Sequence, residues 1–159
     1  MGKLRGGNCV MMGENKPVKE ESIVSRRYAS LSLSYAVIAM TFGVFYREFT
    51  KFSHFAGQTN LSFLHTHYFL LGMFFFLALL LAEKVLAFSD RNTGRLVIFY
   101  QLGLNITGLG LLLRGLTQVW GTELSRGMDA SISGIAGIGH ILTGVSIILL
   151  LLKIRKRAA

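Results

Sequence analysis

Four long apolar runs alternate with short polar segments along the chain, at 28–46, 61–82, 96–119 and 132–152. Each is close to the ~20 residues that a helix needs to cross a hydrocarbon core about 30 Å thick. The first run has no charged residue. The second has no Asp, Glu, Lys or Arg but holds two histidines, the third holds only Arg114, and the fourth holds only His140. The segments between them are short, so consecutive helices must run antiparallel. The pattern predicts an all-α integral membrane protein, an up-and-down bundle of four transmembrane helices. It divides the chain into a polar tail (1–27), a transmembrane domain (28–153) and a basic tail (154–159). The tail of 27 polar residues is not a signal peptide. The opening Met-Gly lacks the Ser or Thr of a myristoylation signal, because residue 6 is Gly. No internal repeat supports an inverted-repeat transporter.

Composition agrees. Apolar residues make up 52% of the chain and charged residues 16%, against about 25% charged in soluble domains. With one proline and 18 glycines, this excludes a disordered chain, a collagen and an ordinary soluble enzyme. A single cysteine, Cys9, excludes an internal disulfide and a cysteine-based zinc or iron–sulfur site within one chain.

The net charge of +9 would suggest nucleic acid in a soluble protein. Here the basic residues cluster at the ends of the spans and act as topology signals, with no nucleic-acid partner implied. Thirteen Lys and Arg fall on one side, in the N-terminal tail, the 83–95 segment and the C-terminal tail. Three fall on the other: Arg47, Lys51 and Arg126. Both termini are therefore expected in the cytoplasm. The run from Lys153 to Arg157 is a stop-transfer anchor, each charge contributing about 1 kcal/mol on anionic lipid. Tyr28, Tyr46 and Trp120, near span ends, suit an aromatic belt.

Ionisable groups at membrane depth are functional candidates by default. Four occur here: His65, His67, Arg114 and His140. At 1.5 Å per residue, His65 and His67 lie about 6–9 Å below the outer surface, Arg114 about 8 Å and His140 about 12 Å. Four polar residues from three helices at one depth point to one site. Residues two apart on a helix differ by about 200°, so His65 and His67 cannot both aim at it from a regular helix. The His65 face carries Ser62 and Gly72, small residues of the packed or ligand-facing kind, which favours His65. His67 takes the site if the helix is rotated or kinked. On the fourth helix Gly134, Gly137, His140 and Gly144 share a face, where a planar ligand could lie beside the imidazole. Tight helix packing accounts for the glycines equally well.

Two histidines on facing helices at matched depth suit axial ligation of haem iron. Arg114 either receives a propionate or snorkels to the headgroups. The expected cofactor site comprises His65 or His67 with His140, together with Arg114, Gly72, Gly137 and Gly144, and the cofactor is haem b. A quinone or a transition metal on the same histidines is the alternative. A zinc or copper ion would lack an Asp, Glu or Cys at that depth, and zinc hydrolysis would lack a general base. Gln101, Asn105, Thr107, Thr117 and Gln118 read as interhelical hydrogen-bonding residues. No GxSxG or Walker motif follows a strand, so hydrolytic and nucleotide-dependent activities are not indicated, whereas a redox role is.

The stretch Leu64-His65-Thr66-His67-Tyr68-Phe69-Leu70-Leu71-Gly72, with Ser133 to His140 (Ser-Gly-Ile-Ala-Gly-Ile-Gly-His), resembles an uncharacterised family of small four-helix membrane proteins common in Gram-positive bacteria. The resemblance covers most of 28–152 and implies the fold and a bacterial plasma-membrane location. Leu64-His65-Thr66 is also similar to the helix of haem–copper oxidases and nitric oxide reductases that supplies a low-spin haem ligand. That likeness carries to His65 alone. The copper ligands and oxidase core of those enzymes are absent, so oxidase activity is not implied.

The expected function is a membrane b-type haem protein near the outer face, in electron transfer, haem or gas sensing, or haem carriage. The alternative is a non-haem membrane module for partner assembly or small-solute transport. Its partners are the bilayer, with a redox or membrane protein or a second copy of the chain compatible with either reading.

Overall fold

The computed structural model describes residues 18–159, with side chains from residue 22 onward. Cys9, Lys3, Arg5, Lys16 and the side chain of Lys19 lie outside the described residues. The described residues form helices without strands: α1 (Val18–Phe52), α2 (Leu61–Leu86), α3 (Arg91–Trp120) and α4 (Arg126–Ala158). All four are long and apolar enough to cross a membrane. α1 begins well before Tyr28, and α4 continues through most of the basic tail.

The breaks between helices have local causes. Asp90 caps α3 in a capping box: its carboxylate accepts from the Thr93 N–H at 2.7 Å, and the Thr93 hydroxyl accepts from the Asp90 N–H at 3.1 Å. Gly121 ends α3 with φ 64°, a left-handed turn that glycine adopts without a Cβ penalty. Ser125 then caps α4 through the Met128 N–H.

α1 packs along α2, and α3 packs along α4, so α2 sits between α1 on one side and the α3–α4 pair on the other. Small residues make the α3–α4 seam. A Cβ on Gly103 would meet the Thr143 backbone at 2.7 Å, and one on Gly139 the Thr107 backbone at 2.8 Å. Such close approach is how membrane helices gain packing without a hydrophobic force between them. Elsewhere the core is aromatic. Phe42, Tyr68, Tyr35 and Phe76 stack in succession at ring separations of 5.6–5.8 Å, and Tyr28 follows at 6.4 Å. Tyr28 therefore belongs to the core and not to an aromatic belt: it is 2% exposed and its hydroxyl lies 2.8 Å from the Ser89 Oγ. Trp120 does face outward.

The second span is not uniform. An α-helical piece (Leu61–His67) leads into a π-helical segment (Tyr68–Phe74) and back to α-helix (Phe75–Leu86). A π turn leaves carbonyls outside the regular ladder, and neighbouring helices claim two of them. The Tyr100 hydroxyl of α3 donates to the Leu71 carbonyl, and the Ser32 hydroxyl of α1 donates to the Met73 carbonyl at 3.0 Å. Gly72, inside this segment, lets α1 approach: a Cβ there would meet the Tyr35 side chain at 2.7 Å.

Candidate functional site

His67 and His140 are the histidines that face each other. Their ring centres lie 6.0 Å apart with planes at 90°. His67 Nδ1 lies 2.8 Å from the Phe63 carbonyl, and His140 Nδ1 lies 2.9 Å from the Ala136 carbonyl. A carbonyl only accepts, so both Nδ1 atoms carry the proton in these bonds. Each neutral ring then has its lone pair on Nε2, the form that binds a metal. The bond to the carbonyl four residues back also fixes each ring, the role that outer partners play for metal-ligating histidines.

His65, favoured by the sequence, points the other way. Its ring stacks on Tyr46 of α1 at 6.4 Å, and its edge lies beside Gly43. The small residues around His65 do mark a packed face, but the helix packed there is α1. Because α2 is flanked on both sides, His65 and His67 are both half-buried while serving different neighbours, and His140 is exposed. His65 Nδ1 is buried without a hydrogen-bond partner among the described residues, unlike the anchored Nδ1 of the other two rings.

The remaining expected residues separate into three groups. Gly137 and Gly144 border open space, since a Cβ on either would meet nothing within 4 Å. They leave bare backbone near His140, and the packing role falls to Gly139. Gly72 is covered by Tyr35 and takes no part in the His67–His140 pair. Arg114 donates to the Asp129 carboxylate, the Ser133 hydroxyl at 2.7 Å and the Asp129 carbonyl at 3.2 Å. It joins α3 to α4, a third outcome beside propionate binding and snorkelling.

Below the pair, a cleft of about 190 Å³ is bounded by Leu71 of α2, Leu104 and Thr107 of α3, and His140 and Gly144 of α4. Thr107 is 2% exposed, and its hydroxyl has no hydrogen-bond partner among the described residues. A buried donor left unmade costs about 1–3 kcal/mol; this one faces Gly139 in the α3–α4 seam, so the cleft itself is lined by apolar surface.

Several residues that position the site carry little signal in the sequence. Asn105 bridges two of the stacked tyrosines, donating to the Tyr35 hydroxyl at 3.0 Å and accepting from the Tyr68 hydroxyl at 3.2 Å. Tyr68 follows His67 directly, so this bridge holds the backbone beside the histidine. Gln118 accepts from the Asn60 N–H at 2.7 Å and fixes the start of α2. Hydrogen bonding by these α3 residues follows the sequence expectation; the tyrosine partners carry no such mark. Glu83, expected at a helix end, is fully buried there and accepts from the Ser89 N–H at 2.9 Å.

In chemical terms the pair offers two neutral imidazole lone pairs. Their 6.0 Å edge-to-face separation falls within the range of aromatic ring pairs in general. Among the described residues no three His, Cys, Asp or Glu side chains converge as a metal-binding group. Two imidazoles alone fall short of the three or four protein ligands of a zinc or copper site.

The chain belongs to a family described as a protein of unknown function (DUF2871), whose model matches residues 25–157. No curated protein and no solved structure matches it.

Proposed function

We propose that this member of the DUF2871 family is a b-type haem protein of the bacterial plasma membrane, with His67 and His140 as the two axial ligands. The supporting observation is the pair itself: two imidazoles 6.0 Å apart, each with Nδ1 bonded to its own helix. The fit extends to the surroundings. Gly137 and Gly144 leave open backbone beside His140, where a flat apolar macrocycle has room. When bound, haem supplies one-electron redox chemistry, and bis-histidine ligation favours electron transfer or carriage over oxygen activation. The protein's part is to orient both rings, through the Phe63 and Ala136 carbonyls. The lysine and arginine distribution supports an N-in, C-in topology. The pair then lies towards the outer leaflet, since it sits nearer the 53–60 and 121–125 loops than the end where both termini lie.

The test is the absorption spectrum of detergent-purified protein, oxidised and then reduced with dithionite, before and after addition of haem. A Soret band with sharp reduced α and β bands, lost in His140→Ala, is the expected result. A flat visible spectrum that haem does not change overturns the proposal.

A further inference from the structure

The opposite end of the bundle holds a second site. A cavity of about 420 Å³ opens between the first turns of α1 and α3, at the end where both termini lie. Ile23 and Val97 form apolar walls, and Gly94 borders it with bare backbone, since a Cβ there would meet nothing within 4 Å. Its floor is polar, made by the buried Tyr28–Ser89 hydroxyl pair and the Glu83 carboxylate.

The charge balance of this cavity is uneven. Each of its acids has a partner: Glu83 accepts from the Ser89 N–H, and Asp90 binds the Lys153 ammonium at 2.7 Å and the Thr93 N–H at 2.7 Å. Its two arginines, Arg27 and Arg91, are exposed at the rim and have no carboxylate partner among the described residues. The Ser89 N–H carries no charge, so Glu83 offsets one guanidinium and a single positive charge is left at the rim, above apolar walls. Guanidinium groups hold phosphate oxygens through paired charge-assisted hydrogen bonds. Basic pockets between transmembrane helices on the cytoplasmic side are suited to anionic headgroups.

We infer that this cavity binds the headgroup of an acidic phospholipid, with the phosphate on Arg27 and Arg91 and the first acyl carbons along Ile23 and Val97. The inference is independent of the histidine pair. It is tested by native mass spectrometry of the full chain released from detergent after incubation with phosphatidylglycerol or phosphatidylcholine, alongside thermal unfolding in the same mixtures.

The wild type is expected to retain phosphatidylglycerol over phosphatidylcholine by about tenfold or more and to unfold at a higher temperature with the former. The Arg27→Gln/Arg91→Gln double variant loses the preference. Gly94→Leu, which fills the cavity and keeps every charge, also loses it. Arg155→Gln/Arg157→Gln, on the exposed tail, keeps it. Equal retention of the two lipids by the wild type overturns the inference. So does a preference that survives in both the double variant and Gly94→Leu. Equal thermal protection by inorganic phosphate also overturns it, because the site would then recognise an anion without its lipid.

Discussion

The imidazoles of His67 and His140 stand 6.0 Å apart with perpendicular planes, and each is tied to the carbonyl four residues earlier on its own helix. The two ties act on different helices, so the spacing is set by how α2 and α4 each pack on α3. Neither ring needs the other to hold its tautomer. The arrangement is thus in place before a ligand arrives, which lowers the ordering cost of binding.

The first prediction separates the two histidines of α2. Haem titrations of His65→Ala, His67→Ala and His140→Ala should give near-wild-type affinity for the first. The other two should lose at least about tenfold in affinity, with loss of the six-coordinate spectrum. Loss confined to His65→Ala would place the ligand on the α1 side of the helix.

The π segment supplies the second. Tyr100→Phe removes the donor to the Leu71 carbonyl and leaves that carbonyl without its partner from α3. A cost of about 1–3 kcal/mol follows from an unsatisfied buried acceptor, read as a lower midpoint in detergent thermal unfolding. Ser32→Ala acts on the neighbouring Met73 carbonyl, in an equally part-buried bond, and should cost a similar amount.

The glycines of α4 provide a third prediction with an internal control. Gly139→Ala drives a methyl group into Thr107 and the Gly103 carbonyl, and overpacking of this kind costs about 1–3 kcal/mol. Gly134→Ala meets open space and gains helix propensity, so it should be neutral or stabilising by up to about 1 kcal/mol. Gly137→Leu should leave stability unchanged and reduce haem uptake, by filling the open face beside His140.

The ion pair at the other end of the bundle sets a pH dependence. Burial raises the Asp90 pKa, but the Lys153 ammonium and the Thr93 N–H and hydroxyl outweigh it and hold the carboxyl well below the usual carboxylate range. A depressed folded pKa stabilises the protein above the ordinary carboxylate pKa and loses that contribution as pH falls below it. Asp90→Asn should therefore lower the unfolding midpoint at pH 7 and converge with wild type as the pH drops below about 4. Because Asp90 is half exposed, the pair contributes no more than about 1 kcal/mol.

Span number was legible because lipid demands long apolar runs, and the chain has four. The site was legible in part. Depth arithmetic brought His67, His140 and Arg114 to one level, because rise per residue is fixed. Which neighbour each one meets was not, because that depends on the order in which helices pack. The sequence assumes one inward face for α2; the fold gives it two, so His65 meets Tyr46 while His67 meets His140. Arg114 was matched with a ligand or the headgroups, since its partner Asp129 lies fifteen residues on, at the start of the next helix. Tyr28 and Glu83 sit near span ends in the sequence, where exposure is the ordinary expectation. Both are buried, because α1, α2 and α3 converge there around the 87–90 turn.

The seven-residue π segment from Tyr68 to Phe74 splits one span into two independent addresses. The outer piece presents His67 to α4, the inner piece presents Phe76 to α1, and Gly72 meets α1 from the π segment itself. Deleting one residue from the segment would tighten it towards a regular helix and turn one piece against the other by about 100°. Either the histidine or the aromatic stack would then lose its partner. A deletion scan along α2 should consequently show a narrow window where a single missing residue uncouples haem affinity from fold stability. Deletions outside that window should move both together.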